Sequence, residues 1–276
     1  MTEITSPTAT IDPYAPGAPA SPRHFLNHLN PLAKVGAVLP AMVLLIFVRD
    51  IATPLLFFAL SYALLLIGAR ITPRTAALLF LAVPLGVVMI GFGFSIWVDA
   101  GGVDDTAPFL QIGGWTLFTG AVQIGFATAL RLAAILALAL IGGLTTTGPD
   151  LVRASIQQLH VPYRIGYTAL AAYRFVPRFG YELSVIRAAH RVRGHHGGRG
   201  PFARLARGWG YIVPLLAGAI RHAERVALAM DARAFGAHPT RTERHLVPFR
   251  TRDTVFIVLF VAASAVVFSL TFPWQL

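Results

Sequence analysis

The chain has 276 residues, 55% of them hydrophobic and 13% charged, with no cysteine and a formal net charge of +11. Soluble domains carry about a quarter charged residues, so this composition, with a mean hydropathy of +0.65, points to a membrane protein. The lack of cysteine excludes a disulfide framework, a thiolate nucleophile and a cysteine metal site. The charge is uneven: between Thr146 and Arg252 there are 17 arginines against 5 acids. In a membrane protein such a basic stretch is first a topology signal. Nucleic-acid binding is the weaker reading, because the arginines are spaced along apolar helical stripes.

Residues 1–21 are rich in Pro, Ala, Thr and Ser and lack an apolar run, which predicts a disordered tail. They do not read as a signal peptide. A short amphipathic lead-in, His24 to Lys34, precedes a first predicted span, Pro31 to Val48. The second runs from Thr53 to Ala69, the third from Ala76 to Val98 and the fourth from Leu117 to Leu144. The first three are near the ~20 apolar residues that cross a bilayer, while the fourth is long for a crossing and is expected to tilt or extend beyond the lipid. Residues 99–116 carry three aspartates and no Lys or Arg, and are expected to form an acidic loop. Thr147, ahead of Pro149 and Asp150, is placed to cap a new helix. A polar arginine-rich region follows to Arg252, and a last apolar run, Thr254 to Phe272, ends beside an interfacial Trp274.

The predicted architecture is therefore an all-α membrane protein of about five transmembrane helices, with two or three long cytosolic helices between the fourth and fifth spans. Its expected parts are the tail 1–21, a membrane domain 22–145, a cytosolic region 146–252 and a final span 253–276. The basic turn Arg70 to Arg74 and the 146–252 region should face the cytoplasm, and the acidic 99–116 loop the outside. Five spans then put the N-terminus inside and the C-terminus outside.

The cytosolic region holds two amphipathic patterns. In the first, Val176, Phe179, Leu183 and Ile186 recur at helical spacing; in the second, Ile212, Leu216, Ala219, Ala223, Val226 and Met230 do so. The first runs into Val192-Arg193-Gly194 and the second into Ala232-Arg233-Ala234, with Gly236 beyond. In each an arginine is expected in the last turn, where the helix dipole favours a cation, and a glycine follows to stop the helix. One helix-terminal arginine reads as a solvated cap. Two in tandem, each presenting a planar fork of donors suited to a carboxylate, favour docking onto a partner.

Other chemistries find little support. No Walker A pattern is present, so ATP hydrolysis by this chain is not expected. The predicted spans contain no Asp, Glu or His, which argues against an ion-driven carrier and an intramembrane metalloenzyme. Their one exception to apolarity is Arg131, which either faces the bundle interior or a partner, or snorkels to an interface. His195 and His196, with His190 and His222 nearby, lack metal-ligand spacing and read as part of a solvated Gly-rich turn. Gly91-Phe92-Gly93 lies within a span and is expected to serve close helix packing.

The chain from about Pro22 resembles the transmembrane (T) component of energy-coupling-factor transporters, the EcfT/CbiQ-like family of vitamin and metal importers. The likeness rests on His28-Leu29-Asn30-Pro31-Leu32-Ala33-Lys34, on Thr145 to Leu151, on Tyr173 to Arg178 and above all on the two tips, each one residue away from Ala-Arg-Gly. The resemblance implies a non-catalytic, energy-coupling subunit of a bacterial or archaeal cell membrane. It implies two ABC-type ATPase partners, which bind the ATP and Mg and receive the tips Val192, Arg193, Gly194 and Ala232, Arg233, Ala234. It also implies a small membrane-embedded substrate-binding S component held on the apolar faces, with Phe179, Leu183, Ile186, Leu216, Ile220, Ala223 and Val226 as contacts. No cofactor or metal is expected in this chain, and no nucleic acid. The alternatives are a stand-alone channel or carrier, and a membrane-anchored basic module binding anionic lipid or nucleic acid.

Overall fold

The computed structural model describes residues 24–98, 103, 107–112, 115–193 and 200–272. They fall into two units, one of residues 24–154 and 247–272, the other of residues 155–246.

The first unit is a bundle of apolar helices. A 3-10 turn, Phe25–His28, leads into α1 (Pro31–Phe47), which is followed by α2 (Ala52–Gly68). Helix α3 (Pro73–Ala77) continues through a π-helical turn, Leu78–Ala82, into α4 (Val83–Trp97). Helices α5 (Thr119–Thr145) and α9 (Thr251–Leu270) complete the bundle, and α6 (Gly148–Gln158) follows α5. The starts are chemically specified. Asn30 caps α1 by accepting the Leu32 N–H at 2.9 Å, with Pro31 in the first turn. The Asp50 Oδ2 accepts the Thr53 N–H and hydroxyl, both at 2.8 Å, at the head of α2.

Helix α5 is central, and its inner face is built from small residues. Gly120, Ala121, Gly125, Ala127, Ala129, Ala133, Ala134 and Ala137 are all buried. Without a hydrophobic drive in lipid, helices associate by close packing, and small side chains let backbones approach. At Gly125 the approach is so close that a Cβ would lie 2.3 Å from Ser95 Oγ and 2.5 Å from the Gly91 carbonyl oxygen. Gly91 in turn packs on the Phe126 ring, as expected of it, whereas Gly93 faces open space. Larger side chains, among them Leu45, Phe57, Leu65, Leu138, Ile141 and Phe256, fill the core between α1, α2, α5 and α9. The outward faces carry exposed Leu, Ile, Val and Phe, as a lipid-facing surface requires.

Among the described residues, three helical stretches are long and apolar enough to cross a membrane: Pro73–Trp97, Thr119–Thr145 and Thr251–Leu270. Helices α1 and α2 are apolar but have only 17 residues each, at the short limit for a span. The expected acidic loop is in part a β-hairpin. Strand β1 (Pro108–Ile112) pairs antiparallel with β2 (Trp115–Phe118), matching Leu110 with Leu117 and Ile112 with Trp115. Consequently α5 begins at Thr119, two residues later than the predicted span. The flanked Gly113-Gly114 pair is a hairpin signal, here set between two short apolar runs.

The second unit contains two long helices, α7 (Tyr163–Val192) and α8 (Pro201–Asp231), and a return segment to residue 246. Their contacts run antiparallel. Tyr163 meets Phe235, Phe175 stacks on His222 with ring centroids 4.3 Å apart, and His190 meets Tyr211. As the first number rises along α7, the second falls. Each helix keeps a proline, Pro177 or Pro214, in its interior.

Candidate functional site

The antiparallel pairing decides where the two arginine tips lie. Arg193 closes α7, and Arg233 follows the end of α8, beside the start of α7. The tips therefore stand at opposite ends of the pair, separated by about 45 Å for 30 helical residues at 1.5 Å each. Both arginines are exposed, and Val192 beside the first is 89% exposed. Gly194 lies outside the described residues, as do His195 and His196.

The first tip is a simple termination: Arg193 is the C-cap of α7, with φ −75° and ψ 4°, and its N–H donates to the Ala189 carbonyl at 3.1 Å. The second has a definite closing motif. The Phe235 N–H donates to the Met230 carbonyl at 3.0 Å, and the Ala234 N–H to the Asp231 carbonyl at 2.9 Å. Those two bonds, six-to-one and five-to-two, form a Schellman motif. Ala234 then occupies the left-handed position, at φ +51°, and Gly236 follows at φ +88°. Arg233 is thus the residue just before the reversal, held outside the helix barrel rather than inside its last turn.

The apolar residues assigned to partner contact divide in two. Phe179, Leu183, Ile186 and Val226 are half-buried, whereas Leu216, Ile220 and Ala223 are exposed. With Trp209, Ile212 and Val213 also open, α8 shows an apolar face beyond the one turned to α7. On α7, Tyr173, Val176, Tyr181 and Val185 are exposed as well. Exposed apolar side chains thus recur along both helices. His190 and His222, the two described histidines near the Gly-rich turn, each meet a ring: His190 that of Tyr211, His222 that of Phe175. Among the described residues no three His, Asp or Glu group where they could hold a metal ion.

In the bundle, Arg131 is half-buried, its Nε enclosed without a hydrogen-bond partner. It is not the only charge in the spans, as the sequence reading had it. Lys34, in the first turn of α1, is 1% exposed. Its Nζ donates to the Leu26 carbonyl at 3.1 Å, to the Thr145 carbonyl at 2.9 Å and to Thr145 Oγ1 at 3.1 Å. One turn earlier, the Asn30 N–H donates to Asp253 Oδ1 at 2.7 Å, and Asn30 Nδ2 to the Val247 carbonyl at 3.3 Å. Asp253, also 1% exposed, accepts the Arg250 N–H at 2.7 Å through its other oxygen. The Arg252 Nη2 donates to the His28 carbonyl at 2.6 Å. The lead-in thus binds the chain where it leaves α5 and where it enters α9. Sequence reading missed this clasp because Lys34 sits at the edge of an apolar run; its signal is the Asn30-to-Lys34 spacing of one helical turn.

Residues 22–244 match the family model CbiQ, described as a cobalt transport protein. The chain is 26% identical over 256 residues to the energy-coupling factor transporter transmembrane protein EcfT of Staphylococcus aureus, covering 90% of this chain and 93% of that one. It is 27% identical over 270 residues to the EcfT of Bacillus selenitireducens, covering 93% and 95%. It also matches 34% of the length of a putative ABC transporter ATP-binding protein of Bifidobacterium longum, at 27% identity over 273 residues. The family match runs from the lead-in through α8 and both arginine tips, ending before α9, and the chain belongs to the CbiQ family, as a non-catalytic transmembrane component of the energy-coupling-factor type.

Proposed function

We propose that α7 and α8 are the coupling arms of an energy-coupling-factor importer, inserting Arg193 and Arg233 into two ABC-type ATPase subunits. The observation that carries the reading is the placement of two exposed arginines at opposite ends of one antiparallel helix pair. A single binding groove would need only one tip; a pair of ATPase subunits offers two. ATP and Mg belong to those subunits. The match to an ATP-binding protein of Bifidobacterium longum supports the pairing, since a segment like this chain occurs there within a longer protein so described. The exposed apolar faces of α7 and α8 suit a small membrane-embedded S component, and the arginine-rich region faces the cytoplasm with the N-terminus, the C-terminus lying outside.

A carrier acting alone is less well supported. The buried hydroxyls of Ser61, Ser95 and Ser264 each return to the carbonyl four residues back, at 2.7 to 2.8 Å, and so line no polar path. The test is affinity purification of the tagged chain from its own membranes, with companions identified by mass spectrometry. Recovery of ABC-type ATPases and a small apolar membrane protein is expected from the unaltered chain. The double variant Arg193→Glu, Arg233→Glu should insert normally and lose the ATPases; retention of both partners and of uptake would overturn the docking role.

A further inference from the structure

The second arginine tip does not end freely. Beyond Arg233 the chain turns through Ala234 and Gly236 and lays residues 235–243 against the first turn and a half of α7. The Tyr163 and Phe235 rings meet edge to face with centroids 5.7 Å apart, and the Tyr163 hydroxyl donates to the His238 carbonyl at 2.5 Å. The Arg164 guanidinium donates to the Gly236 carbonyl. A Cβ at position 236 would lie 3.0 Å from Arg164 Nε, a tight approach to a flexible side chain, and it is the φ of +88° that favours glycine there. One turn further along α7, the Tyr167 hydroxyl donates to Glu243 Oε2 at 2.5 Å. The Arg241 guanidinium closes the set, 4.3 Å from the centre of the Tyr167 ring and 5.9 Å from that of Phe235.

These contacts share one geometry. Tyr163, Arg164 and Tyr167 occupy positions i, i+1 and i+4 of α7, a single face of its first turns. Each reaches a different point of the return segment, at 235–238 and at 243. Most residues of the segment from Ala237 to Leu246 are exposed, so no apolar core holds it. The aromatic and guanidinium contacts do so instead, through edge-to-face rings, a cation over a ring and hydrogen bonds to backbone carbonyls.

We infer that Tyr163, Arg164, Tyr167 and Arg241 form a positioning clamp that orders the second tip before it meets its partner. This rests on the reading of Arg233 as a docking residue, and extends it to what aims that residue. A tip already ordered loses less conformational freedom on binding, so preorganisation appears as tighter docking without any new contact. None of the four residues touches the partner in this scheme; they act through the backbone of residues 234–236.

The absence of native cysteine makes a tip-by-tip test direct. Val192→Cys and Ala232→Cys, each in the full chain, are labelled with benzophenone-maleimide and photolysed in the cell's own membranes, and cross-links to ABC-type ATPase subunits are quantified. The clamp is then loosened with Tyr163→Phe, Tyr167→Phe and Arg241→Gln together, which keeps both phenyl rings. Cross-linking from position 232 should fall about tenfold, with that from position 192 unchanged. Restoring a cation with Arg241→Lys should recover part of the loss. Undiminished cross-linking at 232 would overturn the clamp alone. Equal loss at both positions would mark a general structural role and overturn it too. Failure of either cysteine to reach an ATPase in the otherwise unaltered chain would overturn the docking reading, and the clamp with it.

Discussion

Ala234 stands where a helix end ordinarily uses glycine. At φ +51° its Cβ crowds the backbone, a cost of about 1 kcal/mol that glycine avoids. Ala234→Gly should therefore raise stability by about 1 kcal/mol, read as a higher midpoint in thermal unfolding in detergent, whereas Ala234→Val should lower it. The substitution also restores the third residue of the Ala-Arg-Gly pattern that this tip lacks. Lys34 presents the opposite case, a fully buried cation with every contact made. Lys34→Met keeps the stem but strips the donors from the Leu26 and Thr145 carbonyls, so a loss of about 2 to 3 kcal/mol is expected in the same assay. The two residues differ in legibility. Arg193 and Arg233 stand out because glycine and arginine punctuate a helical stripe. The left-handed turn at Ala234 does not, because alanine gives no hint of positive φ and only the backbone bonds to Met230 and Asp231 reveal it.

Among the elements, the packing of α4 on α5 is the most exacting. Gly125 meets Ser95 and the Gly91 carbonyl so closely that any side chain must move backbone, while Gly93, two residues from Gly91, meets nothing. Gly125→Ala should cost about 1 to 3 kcal/mol by overpacking, and Gly93→Ala should be neutral or slightly stabilising through helix propensity. Equal effects in unfolding measurements would show that the two glycines are not distinguished by packing. The helices themselves were legible in the apolar runs, since each predicted span meets a helix. Their edges were less so. The hairpin at 108–118 lies mostly in the stretch read as an acidic loop, and its last residues, Leu117 and Phe118, read as helix as easily as strand, so the apolar run places the start of the span two residues early. On α8 the spacing predicts a single apolar stripe, open to a partner. The helix has apolar residues on two faces, and sequence spacing alone cannot say which is turned to α7 and which left open.

For the whole molecule, the proposed docking of two tips about 45 Å apart would make the encounter with an ATPase pair bivalent. Arg193→Glu or Arg233→Glu alone should then weaken the complex about a hundredfold, by turning a two-point attachment into one point. Binding of the purified ATPase pair to each variant in nanodiscs checks this. Similar affinities for single variants and unaltered chain would mean that one tip suffices.

The clasp of the lead-in bears on how such a protein can be rebuilt. Asn30 and Lys34, one turn apart, hold Asp253 and Thr145, so the stretch from Ser155 to Leu246 is an insertion whose two flanks the bundle keeps together. Loop closure depends weakly on the length of what is inserted when the ends are fixed. The bundle should thus accept a different arm, or a short linker, with little change to its own folding. On this reasoning the arm should act as an exchangeable cassette, and a chimaera carrying a different arm should keep the bundle's own unfolding midpoint.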